Sequence, residues 1–126
     1  MAGTVVLEDR GFLEAPRWHD GRLYISDLHR HEVLAVTPGE PAEVVATLDD
    51  QPCGLGFGPD GMALVVSMLN RQLLRLTDLS RYADLADLTR GGVNDLIVDE
   101  RGRAYVGSFG YDVFGGEQRA PGNLVL

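Results

Sequence analysis

The chain has 126 residues, enough for one domain with an ordinary core, and carries a formal net charge of −8, with 11 Lys and Arg against 19 Asp and Glu. That balance, without a basic stripe, excludes a nucleic-acid partner held through phosphates, and the single cysteine, Cys53, excludes an intrachain disulfide and a cysteine-built zinc cluster. With no run of eighteen apolar residues and no basic-then-apolar leader, neither a membrane span nor an export signal is expected, and a reduced, cytoplasmic setting is predicted.

In chain order, Thr4-Val5-Val6-Leu7 reads as a strand ahead of a first set of four β-prone stretches, Ala15 to Trp18, Arg22 to Asp27, Glu32 to Thr37 and Glu43 to Leu48. His19-Asp20-Gly21 and Thr37-Pro38-Gly39 supply turns between them. A second set runs through Gly54 to Phe57, a Pro59-Asp60-Gly61 turn, Met62 to Met68 and Gln72 to Thr77. Its fourth member, within Leu79 to Leu88, fits a helical turn as well as a strand. The third set offers Asp95 to Val98, Arg103 to Phe109, a glycine-rich loop from Gly110 to Gly122, and Leu124-Val125-Leu126, so that the chain is read as stopping inside a strand.

The turn glycines Gly21, Gly61 and Gly102 recur about forty residues apart, each followed by a short apolar strand. Several short strands per period of that length is the pattern of a β-propeller blade. The prediction is an all-β chain, residues 1–126, made of antiparallel four-stranded blades whose repeats start near 14, 53 and 94. Propellers close with typically four to eight blades, and this length holds about three.

Aligned on the turn glycines, Glu14, Cys53 and Asn94 share one blade position, just before the innermost strand that lines a propeller's central channel. A carboxylate and an amide oxygen converging there are hard donors suited to calcium, magnesium or manganese. The other reactive side chains have plainer readings. His29 and His31 flank Arg30 in a solvated turn, Cys53 is an inert thiol without a histidine partner, Trp18 is core packing, and Asp84 with Asp87 is a solvated face. Gly54, Gly56 and Gly58 have the wrong spacing for a nucleotide loop, and Ser67 and Ser108 lack a nucleophile elbow.

Six segments taken together, Glu14-Ala-Pro-Arg-Trp18, Ser26-Asp27-Leu28-His29, Gly54 to Gly61, Val65 to Met68, Val93-Asn94-Asp95 and Gly102 to Gly110, resemble the senescence-marker-protein/gluconolactonase/LRE-like family. The resemblance corresponds to the N-terminal half of such a protein. It implies a six-bladed propeller with a divalent metal in its channel that hydrolyses lactones. By that resemblance Glu14 is a metal ligand, Asn94 contacts substrate or metal-bound water, and Asp112 contacts substrate. Gly92 stands where some members carry a sugar-binding arginine, which weakens the case for gluconolactone itself. The family's later metal asparagine and its aspartate, ligand and general base, belong to blades beyond this sequence. The resemblance therefore implies a metal-dependent lactonase active only when another chain supplies the missing blades. Calcium is the first choice of metal, with zinc, manganese or magnesium as alternatives. The partners implied are a small lactone or ester and either a second copy or a complementing chain that closes the ring. The competing reading is a non-catalytic propeller fragment or ligand-binding module.

Overall fold

A computed structural model describes residues 2–126. Among the described residues, eleven strands form three antiparallel sheets. The first contains β1 (Leu13–His19), β2 (Arg22–Asp27), β3 (Glu32–Val36) and β4 (Glu43–Thr47), in chain order. The second contains β5 (Pro52–Phe57), β6 (Ala63–Ser67), β7 (Gln72–Arg75) and β8 (Arg81–Asp84), again in order. The third has three strands, β9 (Val93–Val98), β10 (Ala104–Ser108) and β11 (Leu124–Val125), one fewer than the expected four. A short 3-10 turn at Pro59–Gly61 interrupts the second sheet, and there is no α-helix among the described residues. Hence none is long and apolar enough to cross a membrane.

The local signals explain the hairpins. Asp20 and Gly21 both have positive φ, 47° and 74°, which gives the two-residue turn the twist that antiparallel strands need. Gly61, at φ 74°, serves the second sheet in the same way.

Strand alternation then sends each sheet's two faces to different neighbours. Val33, Ala46 and Leu48 of the first sheet pack against Leu55, Val65 and Leu74 of the second. The opposite face of the second sheet, through Cys53, Leu64, Val66 and Leu73, packs against Val93, Leu96 and Val106 of the third. The core is thus two apolar seams between successive sheets.

Several expectations need correction. Thr4 to Leu7 forms no strand; its residues find no ladder partner, and Val5 and Val6 stay exposed. Trp18 is 64% exposed rather than core, because it stands on the face of the first sheet that no other sheet covers. Within Leu79 to Leu88 the strand alternative holds for Arg81–Asp84, and a turn follows in which Leu85 O accepts from both Leu88 N and Thr89 N. The first strand of each sheet also starts earlier than predicted, which brings Glu14, Cys53 and Asn94 inside strands.

Candidate functional site

The strand that opens each sheet meets its counterparts. A Cβ added to Gly54 on β5 would stand 2.5 Å from Leu96 N and 2.8 Å from Asp95 Cα, so glycine lets β5 and β9 touch backbone to backbone. Ser26 Oγ donates to Cys53 O at 2.7 Å, joining the first sheet to the second. Arg17 on β1 reaches β9, with Nη2 2.7 Å from Asp95 Oδ1 and 3.1 Å from Leu96 O. Three first strands therefore converge on one common side.

The ladders place the candidate residues on that side. Leu13 pairs with Asp27, Pro52 with Ser67 and Val93 with Ser108, and the next residues along are Glu14, Cys53 and Asn94. In each strand the register then slips by one residue, between Glu14 and Arg17, between Pro52 and Leu55, and between Val93 and Leu96. A bulge at the same point of three sheets turns local side chains out of the pleat, a device common beside functional sites. In β1 it includes Ala15 at φ 54° with Pro16 following.

Cys53 and Asn94 are in direct contact, with the thiol 3.0 Å from Asn94 Oδ1. Burial, and then the carboxylates of Glu14 and Asp95, push the Cys53 thiol up to about 12, outweighing the Gly54 N–H and the Arg17 charge. The group is therefore a neutral S–H donor at any physiological pH. Donating to Oδ1, it fixes which way the Asn94 amide points, and the Asn94 NH2 has no protein acceptor among the described residues. Glu14 is exposed, and among the described residues its Oε2 accepts only a 3.3 Å contact from Ala15 N, which leaves most of its lone pairs open to another partner.

Two buried aspartates brace these strands. Asp27, fully buried at the end of β2, accepts from Gly11 N at 2.9 Å, Phe12 N at 3.0 Å and Arg30 N at 3.3 Å. It thereby anchors the segment that leads into Glu14. Burial alone would raise its carboxyl, but those three N–H donors and the Arg30 charge hold it below the usual aspartate value. Asp50 does the same service for the second sheet, accepting from Ser67 Oγ at 2.7 Å and from Leu69 N and Asn70 N at 2.9 Å.

A sequence model of the SMP-30/Gluconolactonase/LRE-like region matches residues 12–126, the span of all three sheets. The chain belongs to this family. Comparison with curated proteins found no match. The family match starts one residue before β1 and takes in every candidate residue.

Asp112 is placed differently from Glu14 and Asn94. It lies in the loop after β10, where its Oδ1 accepts from Phe114 N at 3.1 Å and Gly115 N at 2.7 Å, closing the turn of its own loop. It lines a cleft of about 270 Å³ with Arg90, Gly92, Phe109 and Phe114. Gly92, two residues before Asn94, faces Met68, whose Cγ would lie 3.2 Å from an added Cβ. A larger side chain there would have to displace Met68. Sequence reasoning missed Cys53 as the residue that orients Asn94; the shared blade position of the two was the signal that could have found it.

Proposed function

We propose that this chain supplies one part of the channel of a divalent-metal-dependent lactone hydrolase, its three sheets being three blades of a six-bladed propeller. The observation that carries this reading is the convergence of Glu14, Cys53 and Asn94 at equivalent bulges on one side of three neighbouring first strands, in a chain of this family. A lactone or related small ester is the substrate class, and the single buried cysteine suits a reducing, cytoplasmic setting.

The donors fit a hard cation in kind. Glu14 offers an exposed carboxylate with free lone pairs, which suits calcium first and magnesium, manganese or zinc after it. In number they fall short, since calcium takes six to eight oxygens and no group of three His, Cys, Asp or Glu side chains gathers among the described residues. Further blades must complete the set. A bound divalent ion would polarise the lactone carbonyl and lower the pKa of water. For its part the chain holds a negative charge at Glu14 and presents an N–H donor at Asn94, locked by Cys53, to a substrate oxygen. Asp112 can reach a substrate only from the neighbouring cleft, its carboxylate already engaged in its own turn. No covalent nucleophile is assigned: Ser67 donates to Asp50, and Cys53 is a neutral thiol.

The short donor set also favours a second reading, a module that binds a ligand without hydrolysing it. Lactone opening by the purified protein, measured with calcium, manganese or zinc added singly and then with a chelator, separates the two. Once further blades complete the channel, the proposal expects chelator-sensitive hydrolysis that Glu14→Gln reduces at least about tenfold; turnover unchanged by chelator and by Glu14→Gln would refute it.

A further inference from the structure

Three exposed apolar side chains from two separate loops meet at one cleft. Leu69 follows β6 and is 53% exposed, while Val113 and Phe114 follow β10 and are 37% and 59% exposed. All three line the cleft of about 270 Å³ that Gly92, two residues before Asn94, also lines. Scattered singly, such side chains are ordinary. Gathered in one concave place, they form a site that takes apolar matter out of water.

The cleft is preformed. Gly91 N donates to Phe109 O at 3.0 Å and Phe109 N to Gly92 O at 2.9 Å, which fixes the segment before β9 against the one after β10. A Cβ on Gly91 would stand 2.5 Å from Tyr111 O and 2.6 Å from Phe109 O, so glycine permits that approach. On the other side Val93 N donates to Met68 O at 3.1 Å, and Arg71 Nη1 donates to Ala86 O and Thr89 O. The loop that bears Val113 and Phe114 is closed by its own acids. Asp112 Oδ1 accepts from Phe114 N and Gly115 N, and Glu117 Oε2 accepts from Asp112 N at 3.0 Å. A ligand that enters therefore has little backbone to order.

We propose that this cleft takes an apolar substituent of the substrate, so that the chain selects lactones carrying an aromatic or aliphatic group over polyhydroxylated sugar lactones. The inference rests on the lactone-hydrolase reading and names its substrate class. The chemistry of the lining separates the two classes. Each hydroxyl of a sugar lactone has a proton to donate, and burying it without an acceptor is costly. Of the charged groups at the cleft, Arg90 only donates, while Asp112 and Glu117 already hold backbone N–H groups of their own loop. An apolar substituent asks for no acceptor and gains from covering Leu69, Val113 and Phe114. The lactone group itself only accepts, which suits the donors at Arg90 and Asn94. The volume lies below the roughly 300–1,000 Å³ of sites for drug-sized ligands, so the substituent is about the size of one ring.

Backbone amide NMR of the whole chain, titrated without metal with γ-phenyl-γ-butyrolactone or with D-ribono-γ-lactone, tests this on two lactones of the same ring size. The phenyl lactone should shift the amides of Leu69, Gly92, Val113 and Phe114 and bind at least about tenfold more tightly than ribonolactone. Leu69→Ala and Phe114→Ala trim exposed side chains, so each variant should keep the wild-type spectrum away from the cleft. Each should nonetheless weaken binding of the phenyl lactone by about fivefold to tenfold and leave ribonolactone unaffected. Equal or tighter binding of ribonolactone, no shift at millimolar phenyl lactone, shifts confined to other residues, or indifference to both substitutions would each overturn the proposal. Because this binding needs no metal, the two readings fail separately. Selective binding without turnover, once further blades complete the channel, would support the cleft and refute the lactonase reading, whereas chelator-sensitive turnover that prefers ribonolactone would refute the cleft's role alone.

Discussion

Asp27→Asn should loosen the approach to Glu14, and its size follows from three hydrogen bonds. The carboxylate accepts from Gly11 N through Oδ2 and from Phe12 N and Arg30 N through Oδ1, with the side chain fully buried. Hydrogen bonds to a charged group contribute about 1.5–3 kcal/mol each, and neutral ones about 0.5–1.5 kcal/mol. Asparagine keeps one acceptor oxygen but turns an NH2 toward the Gly11 N–H, so one bond is lost and two become neutral. The expected loss is about 3.5–6 kcal/mol of unfolding free energy at pH 7. The native carboxyl lies below its ordinary value of 3.8, so its stabilisation is fully present above that value and is lost as pH falls through the lowered native one. The gap between wild type and variant should therefore close on acidification below about pH 4. Urea unfolding followed by circular dichroism from pH 7 to pH 2 measures both effects. A gap under about 0.5 kcal/mol at pH 7, or one that stays constant down to pH 2, would refute the reasoning.

Gly54→Ala should cost about 2–4 kcal/mol, because its Cβ would press on the backbone of Asp95 and Leu96 and part β5 from β9; a thermal melt unchanged within 2 °C would contradict the close approach. Cys53 should resist iodoacetamide at pH 8 in the folded protein and react only on unfolding, as followed by mass spectrometry. Since its pKa is raised in the fold from 9.0 to about 12, its contribution to stability is whole below pH 9 and is lost as pH climbs toward 12. Cys53→Ala should remove the donor that fixes the Asn94 amide and cost about 1–2 kcal/mol, visible as a lower urea midpoint.

The repeat was legible because its punctuation is local. Turn glycines set the hairpin register, and the register put Glu14, Cys53 and Asn94 at one place in three sheets. The bulges were not legible, since an extra residue in one strand changes pairing without changing the alternation that a sequence displays. Trp18 was misassigned for a related reason: alternation marks two apolar faces and does not say which of them has a neighbour. Thr4 to Leu7 has the composition of a strand, but a strand exists only when paired with a partner edge, and among the described residues this segment pairs with none. The tie between Cys53 and Asn94 spans 41 residues and depends on how β5 and β9 pack, a contact that neither segment encodes alone. Asp112 shows the limit of a resemblance, because position in the family pattern does not reveal that the carboxylate closes its own turn.

The central claim is that Glu14 and Asn94 face one channel able to hold a divalent ion, and paramagnetic broadening by manganese tests it most directly. Backbone amide resonances of the wild-type protein would be followed during titration with Mn²⁺, then with calcium added in competition. The account predicts that the amides around Glu14, Cys53 and Asn94 broaden together before those of the acidic pair Asp84 and Asp87, that calcium reverses the effect, and that Glu14→Gln abolishes it. Broadening that spares those three positions, or that persists unchanged in Glu14→Gln, would contradict it.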